Sequence, residues 1–284
     1  MVDGQLLVLR STLDPGVTAL VEGLIAASGK QIDVAYCPER IAEGKAMTEL
    51  CELPQLVSAR DERAMERATK LFRTLTTEVV SLLPEEAELA KLFTNTWRYV
   101  RFAVANQLYQ VANDSGLDFE VIRRAMAYNY PRAADVPGAG LAGGPCLLKD
   151  TMQVSAFHTN NFTLGSAAMM VNEGFPLYIV RRMEERYDLA SMTVGLLGMA
   201  FKAQSDDIRS SLSYKLKRSL RTKAAEVLTT DPYVTCDPEL RPLEEVLERS
   251  DLLVVGAPRR AYAAFVPVQP VVDVWDLYGR GVQV

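Results

Sequence analysis

Histidine is nearly absent from this sequence, in which His158 is the only one among 284 residues. A zinc site normally needs several imidazole or thiolate ligands held close together. The four cysteines, Cys37, Cys51, Cys146 and Cys236, are widely spaced, form no CxxC pair and are too few for a disulfide framework. No metal site is therefore predicted, and a nucleophile triad has no histidine other than His158 to use.

Long hydrophobic runs and a signal peptide are also missing. The sequence is 49% hydrophobic, which is enough for two domains of ordinary size. Lysine and arginine total 31 against 36 aspartates and glutamates, so the net charge is −5 at neutral pH. No general attraction to nucleic acid or to an anionic membrane is expected, and the cytoplasm is the expected compartment. An anionic ligand must then be held by local basic groups.

One glycine-rich stretch can carry chemistry. Residues 143–150 read Gly-Gly-Pro-Cys-Leu-Leu-Lys-Asp. Glycines let a backbone approach a ligand closely, and a nearby lysine raises the thiolate population of a cysteine. Cys146 is therefore a candidate nucleophile. The alternative, which this stretch alone leaves open, is a glycine loop that contains a small, buried and unreactive cysteine.

The preceding residues imitate a dinucleotide-binding motif. Residues 138–143, Gly-Ala-Gly-Leu-Ala-Gly, satisfy the pattern G-x-G-x-x-G. That pattern has meaning only where a strand precedes it and a helix follows. Residues 131–137, Pro-Arg-Ala-Ala-Asp-Val-Pro, do not have the composition of a strand. We therefore do not expect this loop to bind a dinucleotide.

The first eighty residues contain part of an α/β pattern. Residues 5–9 form a continuous apolar run typical of an interior parallel strand, and a helix over residues 17–28 and a strand over residues 32–36 follow. A parallel strand needs neighbours joined by crossover connections, so this region is interpreted as the end of a larger α/β domain. Residues 38–44 then form a polar loop with two carboxylates, for which a simply solvated loop is the alternative.

One long helix is predicted from Pro84 to a stop signal at residues 113–116, a length of about thirty residues. Apolar residues recur along it at spacings of three and four, which makes a single stripe. The stripe consists of Leu89, Phe93, Trp97, Val100, Val104, Leu108 and Val111. Lys91, Asn95 and Arg98 fall on the nearly opposite face. That face is either solvated or, since so long a helix makes contacts on more than one side, functional.

The last hundred residues alternate short apolar strands with helices. This alternation predicts a parallel, doubly wound sheet, whose ligands lie at the carboxyl ends of its strands. Residues 201–211 follow the first of these strands, lead into a helix and include Lys202 and Arg209. These cations and the helix N-terminus together suit a phosphate group. In the alternative, Asp206 and Asp207 cap the helix and pair with the cations.

Six short motifs are spread along the chain. They are Ser11-Thr12 with Pro15-Gly16, Pro38-Glu39-Arg40 with Glu43-Gly44, Glu88-Leu89-Ala90-Lys91 with Asn95, Gly143-Gly144-Pro145-Cys146 with Lys149-Asp150, Phe201-Lys202 with Asp207-Ile208-Arg209, and Asp231-Pro232-Tyr233. Each motif alone is weak, but the ordered set is specific. In this order they resemble the UDP-glucose/GDP-mannose dehydrogenase family, and the resemblance covers essentially the whole chain.

The resemblance implies an α/β protein in three parts. Residues 1–82 would be the remnant of a Rossmann-like NAD-binding domain, and residues 83–188 a central helical domain that carries Cys146. Residues 189–284 would be a Rossmann-like domain that binds a UDP-sugar. In this family the long helix pairs two subunits, so a homodimer is expected. Burial within one subunit explains the apolar stripe equally well.

The resemblance also implies an NAD-dependent, four-electron oxidation of a sugar 6-hydroxyl to a carboxylate. Carried over by motif position, Cys146 is the nucleophile that forms a thiohemiacetal and then a thioester. Lys91 and Asn95 resemble the pair that stabilises the oxyanion and holds water. Asp150 resembles the residue that orients Lys91 or this water.

Further roles follow from the same resemblance. Glu39 would assist the water that hydrolyses the thioester, and Thr12 would help to position it. The nucleotide sugar would be held by Arg132, Pro137, Gly138, Gly140, Gly143 and Lys202. NAD would be contacted by Ser11, Glu43 and Arg209. A UDP-sugar is preferred over GDP-mannose because of the similarity around residues 130–140.

One part of the family pattern is missing. Family members begin with a strand, a glycine-rich turn and a helix that bind the NAD pyrophosphate, and nothing of that kind precedes Gln5. The chain is therefore expected to be a fragment, a partner of a second polypeptide or the product of a truncated gene. The main hypothesis is an NAD-dependent nucleotide-sugar 6-dehydrogenase. The alternative is a truncated, non-catalytic module that binds the nucleotide sugar or only dimerises.

Overall fold

The computed structural model describes residues 1–42 and 44–284, which form two compact units. The first unit contains Met1–Thr96 and Asp150–Phe162, and the second contains Trp97–Lys149 and Thr163–Val284. The division into residues 1–82, 83–188 and 189–284 stays a prediction. Within the described ranges, no helix is long and apolar enough to cross a membrane.

The first unit is built on a four-stranded sheet. Its elements are β1 (Leu6–Leu9), α1 (Val17–Ala27), β2 (Asp33–Tyr36), α2 (Ala46–Glu52), β3 (Gln55–Ser58), α3 (Glu62–Phe72) and β4 (Val79–Leu82). The strand order is β1-β2-β3-β4. The β1–β2 and β3–β4 pairs are parallel, whereas β2 and β3 are antiparallel and are paired only at Tyr36 and Ser58. The apolar face of α3 packs on this sheet through Ala64, Ala68 and Phe72.

The sequence predicted β1, α1 and β2 within one or two residues but not α2 or β3. The reason lies in their lengths and burial. Helix α2 has seven residues and none of them is buried, so it has no apolar face to produce a helical period. Strand β3 has only two apolar residues, Leu56 and Val57, between Gln55 and Ser58, which is too short a run to distinguish from a loop.

An ion-pair cluster joins β2 to α3. The buried carboxylate of Asp33 is paired with Arg63 (2.5 Å) and Arg67 (2.6 Å). Hydrogen bonding to Arg63 outweighs burial and lowers the pKa of Asp33. A carboxyl group whose pKa is lowered by folding stabilises the folded state at every pH above its pKa in the unfolded chain, about 3.9. This stabilisation is lost as the pH falls through the pKa of the folded state.

Replacing Asp33 by asparagine is therefore expected to lower the free energy of unfolding by about 1–3 kcal/mol at neutral pH. The difference from the wild-type chain should shrink as the solution is acidified below the unfolded pKa of aspartate. Urea unfolding at neutral and acidic pH measures both values. The exposed Glu66 on the same helix offers a control, Glu66→Gln. If the free energy of unfolding changes with pH in the same way in both variants, the stabilising role of the Asp33 ion pairs is wrong.

Helix α4 spans Pro84–Asp114, 31 residues, as predicted. Most of its apolar stripe is exposed in the chain: Phe93 is 51%, Trp97 59%, Val104 51% and Val111 61% exposed. Burial within one subunit therefore does not explain the stripe. On the other face Asn95 is buried, so a simply solvated face is wrong at this position.

The second unit contains the rest of the helices and a parallel sheet. Its further elements are α5 (Phe119–Ala127), α6 (Leu147–Phe157, shared with the first unit), α7 (Thr163–Arg186), β5 (Thr193–Leu197), α8 (Leu212–Leu220), β6 (Glu226–Thr230), α9 (Leu243–Arg249), β7 (Leu252–Val255) and β8 (Val271–Val272). The strand order is β6-β5-β7-β8 and all pairs are parallel, which confirms the doubly wound prediction. The order reverses between β5 and β7, so the expected ligand crevice lies at the carboxyl ends of these strands.

Candidate active site

A buried polar pair joins α4 and α6 within the first unit. The amide of Asn95 donates a hydrogen bond of 2.5 Å from Nδ2 to Oδ2 of Asp150. Asn95 is 5% exposed and Asp150 is completely buried. Lys91 lies one turn before Asn95 on the same helix and is half-buried. Two residues that the resemblance assigned to one reaction centre are therefore in contact, and a lysine lies one turn away from them.

The buried carboxylate of Glu88 lies one turn before Lys91 on α4. It accepts hydrogen bonds from the backbone N–H of Gly16 (2.7 Å), the backbone N–H of Thr18 (2.8 Å) and the hydroxyl of Thr18 (2.6 Å). These N–H groups belong to the N-terminus of α1, where a negative charge is favoured. Glu88 therefore caps α1 from another helix and fixes the end of the β1–α1 loop, which carries Thr12.

The cap on α1 affects how NAD can bind to the first unit. A dinucleotide pyrophosphate usually lies at the N-terminus of a helix that follows a strand. Among the described residues of this unit, the Glu88 carboxylate takes that position on α1, so the pyrophosphate does not fit there. Ser11 is exposed and Thr12 half-buried beyond the carboxyl end of β1, where another part of the cofactor can be contacted. The predicted NAD contact of Glu43 lies outside the described residues.

Glu39 is fixed just after β2. Its Oε1 accepts hydrogen bonds from the backbone N–H groups of Arg40 (2.8 Å) and Ile41 (2.9 Å), and its Oε2 is ion-paired with Arg10. The Arg10 guanidinium also lies 4.8 Å from the ring centre of Phe72. Residues 39–41 are thus held by contacts of the Glu39 side chain and are not simply solvated. Sequence reasoning missed Arg10, which lies 29 residues before its partner.

Two neighbouring residues at the end of β2 are completely buried. Burial together with the charges of Glu88 and Asp150 raises the pKa of the Tyr36 hydroxyl. Burial also raises the pKa of the Cys37 thiol to about 11. Cys37 is therefore a buried, protonated thiol at neutral pH. Cys146, in contrast, is exposed to solvent.

This difference predicts which cysteines alkylating reagents modify. At about pH 8 a thiol with a pKa near 11 is about one part in a thousand thiolate, and the thiolate is the reactive form. We expect iodoacetamide to modify the exposed Cys51, Cys146 and Cys236 in the folded protein, and Cys37 only after unfolding in urea. Peptide mass spectrometry measures the alkylation of each cysteine. Equal labelling rates of Cys37 and Cys51 in the folded protein would show that Cys37 is not buried.

The glycine loop lies in the second unit and packs against the protein itself. Asn106 on α4 pairs with both backbone groups of Gly140, accepting from its N–H at 2.9 Å and donating to its carbonyl at 3.0 Å. A Cβ on Gly140 would overlap the Trp275 ring, and one on Gly144, where φ is +107°, would lie 2.7 Å from the Phe201 ring. Glycine is thus required at these positions by internal packing, independently of any ligand.

Other predicted ligand residues of this loop are more accessible. Pro137, Gly138 and Gly143 are half-buried. Arg132 is exposed, and its guanidinium lies 4.6 Å from the Tyr130 ring centre and donates to the Tyr130 hydroxyl. These four residues remain candidates for contact with a nucleotide sugar.

Cys146 is exposed and lies immediately before α6. The first turn of this helix carries Lys149 and Asp150. A thiol at a helix N-terminus is a favourable nucleophile because the helix dipole stabilises its thiolate. Cys146 is therefore not buried, contrary to that part of the alternative interpretation, and its role as a nucleophile stays a prediction.

The loop after β5 contains both expected cations. Arg209 is paired with Asp207, the two at 2.7 Å, and this pairing lowers the pKa of the Asp207 carboxyl. Lys202 lies 5.3 Å from the centre of the Phe201 ring. Helix α8 is capped by Ser211, whose Oγ accepts from the N–H of Ser213. The pairing of Asp207 with Arg209, which belonged to the alternative interpretation, is therefore observed, while Ser211 rather than an aspartate caps the helix.

Three domain models of one family match the chain. The NAD binding domain of the UDP-glucose/GDP-mannose dehydrogenase family matches residues 1–76, its central domain residues 85–174, and its UDP binding domain residues 195–280. The order of the three domains along the chain is the one that the motifs predicted.

Similar proteins carry the names of nucleotide-sugar dehydrogenases. UDP-N-acetyl-D-mannosamine dehydrogenase of Pyrococcus horikoshii is 32% identical over 266 residues, which cover 89% of this chain and 62% of the relative. UDP-glucose 6-dehydrogenase of Haloferax volcanii is 32% identical over 249 residues, which cover 82% of this chain and 58% of the relative. The chain thus spans about three fifths of the length of these curated relatives.

A solved structure agrees with the fold over almost the whole chain. The structure of a UDP-glucose dehydrogenase from Pyrobaculum islandicum matches with a TM-score of 0.86 and 27% identity, covering 95% of this chain and 67% of that one. Its fold, the ordered motifs and the three matching domain models lead to one conclusion. The chain belongs to the UDP-glucose/GDP-mannose dehydrogenase family.

Proposed function

We propose that this chain carries the reaction centre of an NAD-dependent nucleotide-sugar 6-dehydrogenase that acts on a UDP-sugar. The observation that carries the proposal is the buried hydrogen bond between Asn95 and Asp150. Burying an amide and a carboxylate in contact is costly, and a helix interior has no structural need for Asn. Both residues occupy family motif positions, and Cys146 precedes Asp150 by four residues.

Cys146 is the nucleophile of the proposed reaction. Each of the two oxidations would transfer one hydride to one molecule of NAD, so two molecules of NAD would be reduced for each sugar. After the first oxidation the Cys146 thiolate attacks the C6 aldehyde and forms a thiohemiacetal. The second oxidation converts this adduct into a thioester, and water then cleaves the carbon–sulfur bond and releases the carboxylate and the thiol. The exposed position before α6 supports this role.

The polar residues of the first unit prepare the oxyanion and the water. Lys91 and the Asn95 amide stabilise the negative oxygen that develops at C6. Asp150 accepts from Asn95 and orients that amide. Glu39, fixed by Arg10, assists the water that hydrolyses the thioester, and Thr12 positions it.

The second unit binds the nucleotide sugar. Lys202 lies in the loop after β5, at the strand end where a doubly wound sheet binds its ligands. Its ammonium contributes positive charge for a diphosphate. Arg132, Pro137, Gly138, Gly140 and Gly143 complete the proposed substrate site, and Ser11 and Arg209 contact NAD. The match of residues 195–280 to a UDP binding domain supports a uridine nucleotide.

One observation favours the alternative of a module that binds the nucleotide sugar without catalysis. The α1 N-terminus is taken by Glu88, so the described residues of the first unit do not offer that helix end to a pyrophosphate. The 284-residue chain would then bind a UDP-sugar but form no NADH. Joined to a glycine-rich NAD-binding segment at its N-terminus, the same chain would be active.

The experiment is to mix each protein with NAD and either UDP-N-acetylmannosamine or UDP-glucose and to follow NADH by absorbance. NADH formation by either form of the protein supports the dehydrogenase. If the 284-residue chain binds UDP but only the joined protein forms NADH, the NAD site of the first unit is incomplete. If neither form binds UDP or produces NADH with either sugar, the proposed function is wrong.

We also propose a homodimer formed through the apolar stripe of α4. Trp97 and Val104 on this stripe are each more than half exposed. Val104→Glu is expected to shift the protein from dimer to monomer, because it buries a charge in an apolar interface. Size-exclusion chromatography with light scattering measures this. Val268, which is 95% exposed, offers the control Val268→Glu, and a wild-type monomer at high concentration would contradict the proposal.

A further inference from the structure

A completely buried ion pair lies beside the carboxyl ends of β6 and β7 in the second unit. Asp231 directly follows β6, and Arg259 is four residues beyond the end of β7. Arg259 Nη2 and Asp231 Oδ2 are 2.5 Å apart, and both side chains are 0% exposed. The Arg259 guanidinium also lies 5.0 Å from the Tyr233 ring centre. No part of the chemistry proposed above uses either charge.

The partners of this pair belong mostly to one loop, residues 199–205, which follows β5. Asp231 Oδ2 accepts from the backbone N–H groups of Met199 (2.7 Å) and Ala200 (3.1 Å). Arg259 donates to the backbone carbonyls of Lys202 (3.0 Å) and Ser205 (2.8 Å). The first half of the loop is thus held by the carboxylate and the second half by the guanidinium.

A buried ion pair is a poor means of adding stability. Removing two charges from water costs about as much as their attraction returns, and apolar residues of similar volume often stabilise a fold as well or better. What the pair supplies here is a defined geometry. Four loop backbone groups are hydrogen-bonded to it, and one of them is the carbonyl of Lys202 itself.

We infer that Arg259 and Asp231 are positioning residues that hold the 199–205 loop in the shape in which Lys202 meets the diphosphate of a uridine nucleotide. The inference rests on the proposed function for the nature of the ligand. Neither residue contacts the nucleotide in this account. They act by fixing the backbone from which the Lys202 side chain extends.

Single substitutions in the pair are poor tests, because a lone buried charge destabilises the fold strongly. The informative variant replaces both charges, Arg259→Met with Asp231→Leu, and keeps the volume without the hydrogen bonds. We expect circular dichroism to show that this variant stays folded. Calorimetry should show that it binds UDP about tenfold more weakly, because one charge-assisted contact, that of Lys202 with the diphosphate, is lost. Arg260→Met, at the exposed neighbouring residue, is the control and should bind like wild type.

A coupling measurement separates positioning from general loss of structure. Lys202→Ala should weaken UDP binding in the wild-type background and have little further effect in the paired variant, because the lysine is already misplaced there. Equal losses in both backgrounds, or UDP binding by the folded paired variant within about twofold of wild type, would overturn the inference.

Hydrogen exchange of the ligand-free proteins tests the positioning role of the ion pair without depending on UDP as the ligand. The 199–205 amides should exchange faster in the paired variant than in wild type, while those of β5 stay protected. Unchanged exchange in this loop would overturn the positioning role even if UDP binds. If wild-type protein fails to bind UDP, the proposed ligand is wrong, and the exchange result still decides whether the pair orders the loop.

Discussion

Replacing Cys146 by alanine is expected to lower the rate of carboxylate formation from a UDP-sugar by about a thousandfold or more. Without the thiolate, the aldehyde formed by the first oxidation has no nucleophile to hold it, so the second oxidation loses its covalent substrate. UDP binding should change little, because Cys146 is assigned no contact with the nucleotide. Steady-state kinetics and calorimetry on the same preparations measure both properties, in whichever form of the protein is active.

Cys236 gives a matched control for this substitution. It is exposed and lies in the second unit, as Cys146 does, but it does not itself occupy a family motif position. Cys236→Ala should retain the wild-type rate. If Cys146→Ala is as active as Cys236→Ala, the covalent mechanism is wrong and the enzyme must oxidise a free or hydrated aldehyde.

Replacing Asn95 by alanine is expected to have the second largest effect. The substitution removes the amide that donates to buried Asp150 at 2.5 Å, which should lower the free energy of unfolding by about 1–3 kcal/mol. It also removes a proposed oxyanion donor, so kcat should fall by about a hundredfold or more while KM changes less. Urea unfolding and steady-state kinetics measure the two effects separately.

Thr94→Ala serves as the control for Asn95→Ala. Thr94 is the adjacent residue on α4, is exposed, and donates its hydroxyl to the Ala90 carbonyl of the same helix. Thr94→Ala should leave both kcat and the free energy of unfolding close to their wild-type values. A kcat for Asn95→Ala close to that of Thr94→Ala would limit Asn95 to a structural role.

Local patterns in the sequence predicted much of the fold. Helix α4 begins and ends where the sequence predicted, and the parallel order of the second sheet follows from its strand-helix alternation. Local capping signals of this kind are reliable because they join residues close in sequence, as where the side chain of Asp118 accepts from the N–H of Glu120 and caps the start of α5. Such contacts can be inferred without a three-dimensional structure.

The contacts that organise the candidate site could not be predicted in this way. Glu88 binds the N-terminus of α1 across some seventy residues, and Arg259 reaches the Lys202 carbonyl across 57. Neither partner shares a periodic pattern with the other. The role of Gly140 was also missed, since the side chain that fills its missing Cβ position, Trp275, is far away in the sequence. Periodicity reports which face of an element is apolar but not what covers it, and the exposed stripe of α4 illustrates the same limit.

The stoichiometry of NADH per sugar tests the central claim most directly. With a limiting amount of the UDP-sugar that is turned over, the active protein should form two NADH for each carboxylate released, because a primary alcohol loses four electrons on the way to an acid. Cys146→Ala should form at most one NADH per sugar and no carboxylate over the same time. Two NADH per sugar from Cys146→Ala at the wild-type rate, or one from the wild-type protein, would contradict the account.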